Sequence, residues 1–498
     1  MKILLAYPRY PESFWSFKHA LRFINKKAAH PPLGLLTVAA MLPGAWEKRL
    51  IDMNVRPVKD ADLKWADYVF ISAMTIQRES ARELIGRCRS LGVKTVAGGP
   101  LFTMEYDEFA EVDHLVLDEA EITLAQFLAD LEKGTEKHIY TSNERPDIGT
   151  TPVPLWELIN LNDYVTMSVQ FSRGCPYDCE FCDITSLYGR KPRLKNVEQF
   201  IGELDSLYHR GWKGSVFIVD DNFIGNKVII KKEILPAIIE WMDKHRHPFV
   251  FITEVSINLA DDQELMDLMR RAGFAHVFIG IETPSEDSLK ECNKFNNVNR
   301  DMLASVKRVQ NYGMEVSAGF IVGFDSDTPS IFERQIKFIQ QSGIVTAMVG
   351  LLNAPRGTRL FERLKNEKRL LQNFSGNNTD FSLNFVPKMN TQKLIEGYKQ
   401  IVTTIYSPAQ YYERVLQFFG EFKPARGVRF DMFRLCYLKA FFMAMFYLGV
   451  LDQGRKYYWR LLLKTLWGYP HMLPQAISFA IYGFHFRKVF NSFNPAKA

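Results

Sequence analysis

Two runs of alternating strand-like and helix-like segments constrain this chain more than any other feature. In residues 1–135, short apolar runs at Ile3–Tyr7, Arg49–Met53, Tyr68–Ala73, Lys94–Ala97 and His114–Leu117 interleave with helix-like Pro32–Leu42, Glu79–Leu91 and Glu121–Lys133. That alternation predicts a doubly wound parallel sheet of five strands, with ligands at the carboxyl ends of the strands. The loops there are Asp52–Pro57, Ala73–Gln77, Gly98–Pro100 and Asp118–Glu121. Residues 136–165 mix prolines and polar residues without a period and read as a linker. The second run fills residues 166–372. Its strand candidates are Met167–Phe171, Ser215–Val219, Phe249–Thr253, His276–Ile281, Glu315–Val322 and Thr346–Leu352. Helix candidates Val197–Arg210, Lys227–Lys244, Asp261–Ala272, Arg300–Tyr312 and Ser330–Ser342 fall between them. Six βα units predict a parallel barrel short of the closed number of eight, with active-site residues at the carboxyl ends of its strands. Residues 373–498 read as mostly helical.

Composition narrows the class. Apolar residues make up 47% and charged residues 24% of 498, which is ordinary for globular domains. Global disorder, a fibre and a small disulfide scaffold are excluded. Three of the six cysteines crowd together, and Cys88, Cys292 and Cys436 stand alone as packing thiols. That spacing does not make a secreted framework. The start MKILLAYPRYP lacks the apolar core and cleavage site of a signal peptide. No 18-residue run is free of charges and breakers, so a spanning helix is not expected. The expectation is a reducing, cytoplasmic protein.

The chemistry-bearing motif follows the first strand of the second run: Arg173-Gly174-Cys175-Pro176-Tyr177-Asp178-Cys179-Glu180-Phe181-Cys182. Three thiolates at this spacing can face one point. Structural zinc asks for a fourth ligand, and no Cys or His follows until His209. A cubane iron–sulfur cluster on three cysteines leaves one iron open.

With Cys175, Cys179, Cys182 and the aromatic Phe181, the sequence resembles the radical SAM superfamily. The resemblance implies a partial (βα)6 barrel and a [4Fe-4S] cluster whose open iron chelates S-adenosylmethionine (SAM). It implies one-electron cleavage of SAM to a 5′-deoxyadenosyl radical, which removes hydrogen from an unreactive carbon. An electron donor such as flavodoxin or ferredoxin is implied too. Further strand ends match the family. Asp220-Asp221-Asn222-Phe223 ends the second strand, Glu254 the third, Gly280-Ile281-Glu282-Thr283 the fourth and Gly319–Phe324 the fifth. The resemblance makes Phe181, Asp221, Glu254, Glu282, Gly319 and Gly323 the SAM contacts, the glycines because backbone approaches a ligand only where no side chain intervenes.

A flavodoxin-like sheet ahead of such a barrel resembles the cobalamin-binding subgroup. Pro31–Leu35, Ser72 and Gly98-Gly99-Pro100 sit where that subgroup approaches cobalamin. The usual cobalamin domain carries Asp-x-His-x-x-Gly after its second strand. Here the stretch is Asp52-Met53-Asn54-Val55-Arg56-Pro57, with Asn54 in place of the His. Asn is a poor cobalt ligand. Either the lower face of the cobalt has no protein nitrogen or the domain has lost cobalamin; we favour the first.

Residues 1–420 resemble the branch that includes hopanoid C-methylases and pigment methylases. This implies methylation of an apolar or lipid-like substrate, the methyl coming from methylcobalamin. Cyclisation, rearrangement or oxygen-independent hydroxylation would need the same cofactors. An RNA-modifying enzyme would carry further cluster cysteines in the first domain, where Cys88 stands alone. An electron carrier would group four cysteines. From Phe430 to the end, nine Lys or Arg stand against two acids, a net +7 that leaves residues 1–429 at about −1. Ala440–Leu451 is apolar for twelve residues, and Tyr457–Arg460 and Lys464–Trp467 mix aromatic with basic residues. That pattern suits peripheral contact with an inner membrane surface, and no nucleic-acid partner is expected.

Overall fold

The computed structural model describes residues 1–372, 374–423 and 435–492. The first sheet has six strands: β1 (Lys2–Tyr7), β2 (Glu47–Asp52), β3 (Tyr68–Ser72), β4 (Lys94–Gly98), β5 (His114–Val116) and β6 (Ile139–Tyr140). All pair in parallel, in the order β2-β1-β3-β4-β5-β6. This is the flavodoxin-like order, whose ligand crevice opens where the order reverses, between β1 and β3.

The sixth strand lies in the segment expected to be a linker. That segment is anchored at intervals: Trp156 and Tyr164 are buried, and the Tyr164 hydroxyl donates to Asp52 Oδ2 at 3.2 Å. Its apolar residues are spaced to suit separate contacts with two domains, which gives no period to read.

The second sheet runs β7 (Met167–Val169), β10 (Gly214–Ile218), β11 (Phe249–Val255), β12 (Phe274–Glu282), β13 (Glu315–Val322) and β14 (Ala347–Leu351), all parallel in that spatial order. A short hairpin of β8 (Ser172–Arg173) and β9 (Arg193–Leu194) follows β7. β7 is shorter than its apolar run because Phe171 N–H turns to Asp220 Oδ1, 2.8 Å away, instead of a neighbouring strand. The helix expected over 227–244 has a π turn at Ile230–Ile234, beside Pro236, which has no N–H to give to the ladder.

Six strands leave one side of the barrel open. The long connection after β1 packs against the barrel. Phe14 stacks on Phe486 at 4.1 Å between centroids, and Trp15 packs edge-on to Phe278 of β12. The C-terminal helix Leu473–Ser492 lies against the same connection, where a ring nitrogen of His485 bonds the Phe14 carbonyl at 2.9 Å. Helices Thr391–Ile405, Pro408–Glu421, Leu435–Phe446 and Arg455–Gly468 make up the rest of the C-terminal region. Arg434, Asp431, Lys497 and the Cys436 side chain lie outside the described residues.

Candidate active site

The loop from Gly174 presents the three thiols. Gly174 has a φ of 95°, and a Cβ there would lie 2.9–3.2 Å from the carbonyl oxygens of Gly189, Lys191 and Tyr188. Only glycine makes this turn. Backbone bonds then fix the loop: Cys175 N–H to Gly189 O at 3.2 Å, Cys182 N–H to Cys179 O at 3.2 Å, and Glu180 N–H to Cys292 O at 2.9 Å. Cys175, Cys179 and Cys182 are free thiols. Burial pushes all three above the ordinary thiol value, and the Lys294 ammonium opposes it.

Lys294 was not legible in the sequence. Its Nζ lies 2.9 Å from Glu282 Oε1, and both side chains are largely buried. Burial alone would lower its pKa, but Glu282 and the thiols around it raise it and keep it charged. Glu282 stands at a bulge in the β12–β13 pairing with a φ of 64°, uncommon for a side-chain-bearing residue. Asn297 holds the bulge through the carbonyls of Gly280 and Ile281. A Cβ on Gly280 would fall 2.3 Å from Glu282 Oε1, so that glycine makes room for the ion pair.

The other expected SAM residues divide. Asp221 Oδ2 accepts the Gly174 N–H at 2.8 Å, coupling it to the cysteine loop, and burial raises it to about 6. Its neighbour Asp220 is consumed by Phe171 N–H and Ser172 Oγ. Glu254 has no hydrogen-bond partner among the described residues; burial raises it to about 7, Asp221 adds to this and Lys294 opposes it. Phe181 packs on Phe324 at 6.3 Å. At Gly319 the space for a Cβ already holds the Phe278 ring, and at Gly323, with a φ of 107°, it holds Leu394. Both glycines thus have packing reasons within the chain.

At the carboxyl end of the first sheet, Gly98 and Gly99 let three loops close on one another. A Cβ on Gly98 would meet Val116 O at 2.5 Å, and one on Gly99 would meet Ser72 Oγ at 2.6 Å. Pro100 then starts the helix Pro100–Glu105. Asn54 is a brace: its Oδ1 accepts Tyr10 N–H at 2.8 Å, and its amide donates to Asp52 and Pro8. At the β1–β3 crevice the Tyr10 hydroxyl reaches Met74 Sδ at 3.4 Å. After β5, Glu119 and Glu121 pair with Arg173, and Glu119 also pairs with Arg193. The first sheet is thereby fastened to the residue just ahead of Gly174.

The inner barrel face packs against side chains of the first domain. Trp15 keeps 41% of its surface accessible, although its ring lies 5.6 Å from Phe278 and its Nε1–H 3.0 Å from Met348 Sδ. His30 also keeps accessible surface beside Phe217, while the surrounding protein depresses its imidazole to about 4. Both come from the β1 connection of the first domain. Residues of both domains therefore meet at the inner barrel face.

Residues 22–128 match the B12 binding domain, residues 169–339 the Radical SAM superfamily and residues 358–497 a domain of unknown function, DUF4070. The chain is 42% identical over 490 residues to an uncharacterized methyltransferase of Synechocystis sp., covering 98% of this chain and 91% of the relative. It is 36% identical over 412 residues to the hopanoid C-2 methylase of Rhodopseudomonas palustris, covering 82% and 77%. Its fold is similar to that of OxsB, a cobalamin-dependent SAM radical enzyme, with a TM-score of 0.61 at 14% identity, covering 99% of this chain and 79% of that one. It is also similar to the methyltransferase TsrM of Kitasatospora setae, with a TM-score of 0.58 at 14% identity, covering 80% and 84%. The chain belongs to the cobalamin-dependent radical SAM methyltransferases.

This methyltransferase family works with a [4Fe-4S] cluster, SAM and cobalamin. The residues present fit the cluster. Among the described residues, no three His, Cys, Asp or Glu side chains close around a single ion. A cubane does not ask for that, because each of three irons takes its own thiolate. The thiols must be deprotonated to bind iron, and the buried Lys294 supplies the countercharge. The first sheet fits cobalamin by its order and by the crevice at Tyr10 and Met74. No side-chain nitrogen of Asn54 is free there to replace the missing histidine.

Proposed function

We propose that this methyltransferase adds a methyl group to an unactivated carbon of an apolar, lipid-like substrate held inside the barrel. When bound, the three cofactors supply hydrogen abstraction by a 5′-deoxyadenosyl radical and the methyl group of methylcobalamin. The observation that carries the reading is that Trp15 and His30 of the first domain keep accessible surface while they pack on Phe278, Met348 and Phe217 of the barrel. A radical formed there meets the methyl donor before it meets water. The hopanoid methylase among the relatives supports the lipid-like class.

In this reading Cys175, Cys179 and Cys182 hold the cluster, and Asp221, Glu254 and Glu282 face SAM beside Phe181. Asp221 sets the cysteine loop through Gly174, and Lys294 holds Glu282 in its bulge. Ser72, Gly98, Gly99 and Pro100 shape the cobalamin side. A flavodoxin or ferredoxin delivers the electron.

The substrate's source fits the C-terminal region. Among the described residues no helix is long and apolar enough to cross a membrane. The hairpin of helices Leu435–Phe446 and Arg455–Gly468 nevertheless leaves Phe442 66% and Trp467 94% exposed, with Phe446, Leu463 and Leu466 also exposed. Lys439, Arg455, Lys456, Arg460 and Lys464 are exposed on the same two helices. Aromatic and apolar side chains flanked by cations fit the cytoplasmic surface of an anionic bilayer.

The test is anaerobic reconstitution with iron, sulfide, hydroxocobalamin, a reductant and methyl-deuterated SAM against a lipid extract. A product carrying the deuterated methyl is expected. An unlabelled product formed with 5′-deoxyadenosine would overturn methyl transfer.

A further inference from the structure

The base of the barrel cavity holds a polar cluster that none of the chemistry above uses. His276 and Glu315 are paired across β12 and β13, near the amino-terminal ends of both strands. A His276 ring nitrogen, Nε2, bonds Ser317 Oγ at 2.7 Å, and Gln475 Nε2–H donates to Glu315 Oε2 at 3.0 Å. Gln475 comes from the C-terminal helix, beyond the barrel itself. His276, Phe278 and Gly280 share one face of β12, and that face leads up to Glu282. Glu282 lies six positions after His276, about 20 Å along the strand. The surfaces between are largely apolar, from Phe278, Trp15, Met348 and Ile252, with Glu254 opposite Phe278 and His30 beside Phe217.

Two polar atoms of this cluster are unclaimed. Glu315 Oε1 and His276 Nδ1 have no hydrogen-bond partner among the described residues, and both residues keep accessible surface. Neither atom is sealed off by protein, so both are open to a polar group that enters the barrel. Burial raises Glu315 to about 7 and lowers His276 to about 4. Near neutral pH the imidazole is uncharged, and the carboxyl is present in large part as the acid. Such a pair suits a neutral group that both donates and accepts, and suits neither a cation nor an anion.

We propose that Glu315, His276, Ser317 and Gln475 form a binding site for a hydroxyl group at the far end of an elongated apolar substrate. The inference rests on the lipid-like reading above and adds to it a length and a polar end. The frame between the reacting carbon and the hydroxyl spans on the order of 15–20 Å, the strand distance. It also gives the C-terminal region a part in substrate choice through Gln475.

The test uses the reconstituted holoenzyme and two probes: a pentacyclic hopane with a hydroxyl on its side chain, and the same hopane with hydrogen in its place. Affinity is read by titration in detergent, and methylation by mass. The alcohol is expected to bind about tenfold tighter, as one buried hydrogen bond provides. In Gln475→Met, and in the near-isosteric Glu315→Gln should the first not fold, that preference should fall severalfold while hydrocarbon affinity stays the same. Equal binding of the two probes to the unsubstituted enzyme, with either one methylated, overturns the hydroxyl site and leaves the proposed function standing. If neither probe binds, the lipid-like reading falls and takes this inference with it.

Discussion

Glu119 accepts a hydrogen bond from Arg173 at 2.9 Å across the boundary between the cobalamin-binding sheet and the barrel, two residues before Cys175. The Glu119 side chain is only 3% exposed and is shared with Arg193. Loss of this buried carboxylate would leave Arg193 without its paired acid and Arg173 with Glu121 alone. The position of the cysteine loop is thus set from the neighbouring domain.

Glu119→Ala should cost about 3–5 kcal/mol, the range for breaking a buried pair by removing one partner. Thermal unfolding would show a clear fall in the midpoint, and Glu119→Gln a smaller one. A midpoint unchanged in both variants would show that the pair carries no weight.

Cys175→Ala, Cys179→Ala and Cys182→Ala should each abolish the broad visible absorbance of the cluster and all cleavage of SAM. Far-UV circular dichroism of the apoprotein should stay unchanged. Retained cleavage in any one of them would remove that cysteine from the ligand set.

Gly174→Ala tests the turn. The residue is held at a φ of 95° with three carbonyl oxygens within 3.2 Å of a Cβ. The expected result is loss of most of the reconstituted iron, measured by chelation assay, with the cysteines all present.

The pH dependence has a defined sign. Glu254 is raised to about 7 when folded, against about 4.3 for the free side chain. The folded state therefore holds its proton longer than the unfolded one. That contribution to stability is complete below about pH 4, is lost as pH rises to about 7, and is flat beyond. Glu254→Gln should melt with less pH dependence over this window and be more stable than the parent at pH 8. Identical pH profiles for the two apoproteins would refute the buried carboxyl.

Trp467→Glu and Phe442→Glu should each weaken binding to anionic lipid vesicles in flotation. Added salt should weaken binding of the parent too, because the basic side chains act through a screened field. Equal flotation of the parent with neutral and anionic vesicles would remove the electrostatic part of the contact.

Much of this architecture was legible in the sequence, and the reason is periodicity. β13 lies over Glu315–Val322 as its apolar pattern specifies, and the spacing of Cys175, Cys179 and Cys182 points to a metal or cluster site. What remained hidden depends on contacts distant in sequence. Lys294 shows no pattern of its own and gains its place only when the β12 bulge turns Glu282 towards it. Glu119 looks like an ordinary helix-start acid until Arg173 arrives from another domain. Asn54 occupies the expected position, but its amide is spent on Tyr10, Pro8 and Asp52, which spacing does not reveal. The strand β6 escaped because two residues are too few to show alternation.

The bond between His485 and the Phe14 carbonyl joins positions 471 apart in the chain. During synthesis the first sheet can form early, but the open side of the barrel waits for the last helix to leave the ribosome. Until then the apolar lining faces solvent, so the nascent chain is exposed to aggregation from the first barrel strand at Met167 until the helix Leu473–Ser492 is made. For the same reason the barrel is not a portable module. Grafted onto another cobalamin-binding domain, it would lack Phe14 and Trp15 and retain a gap in its wall.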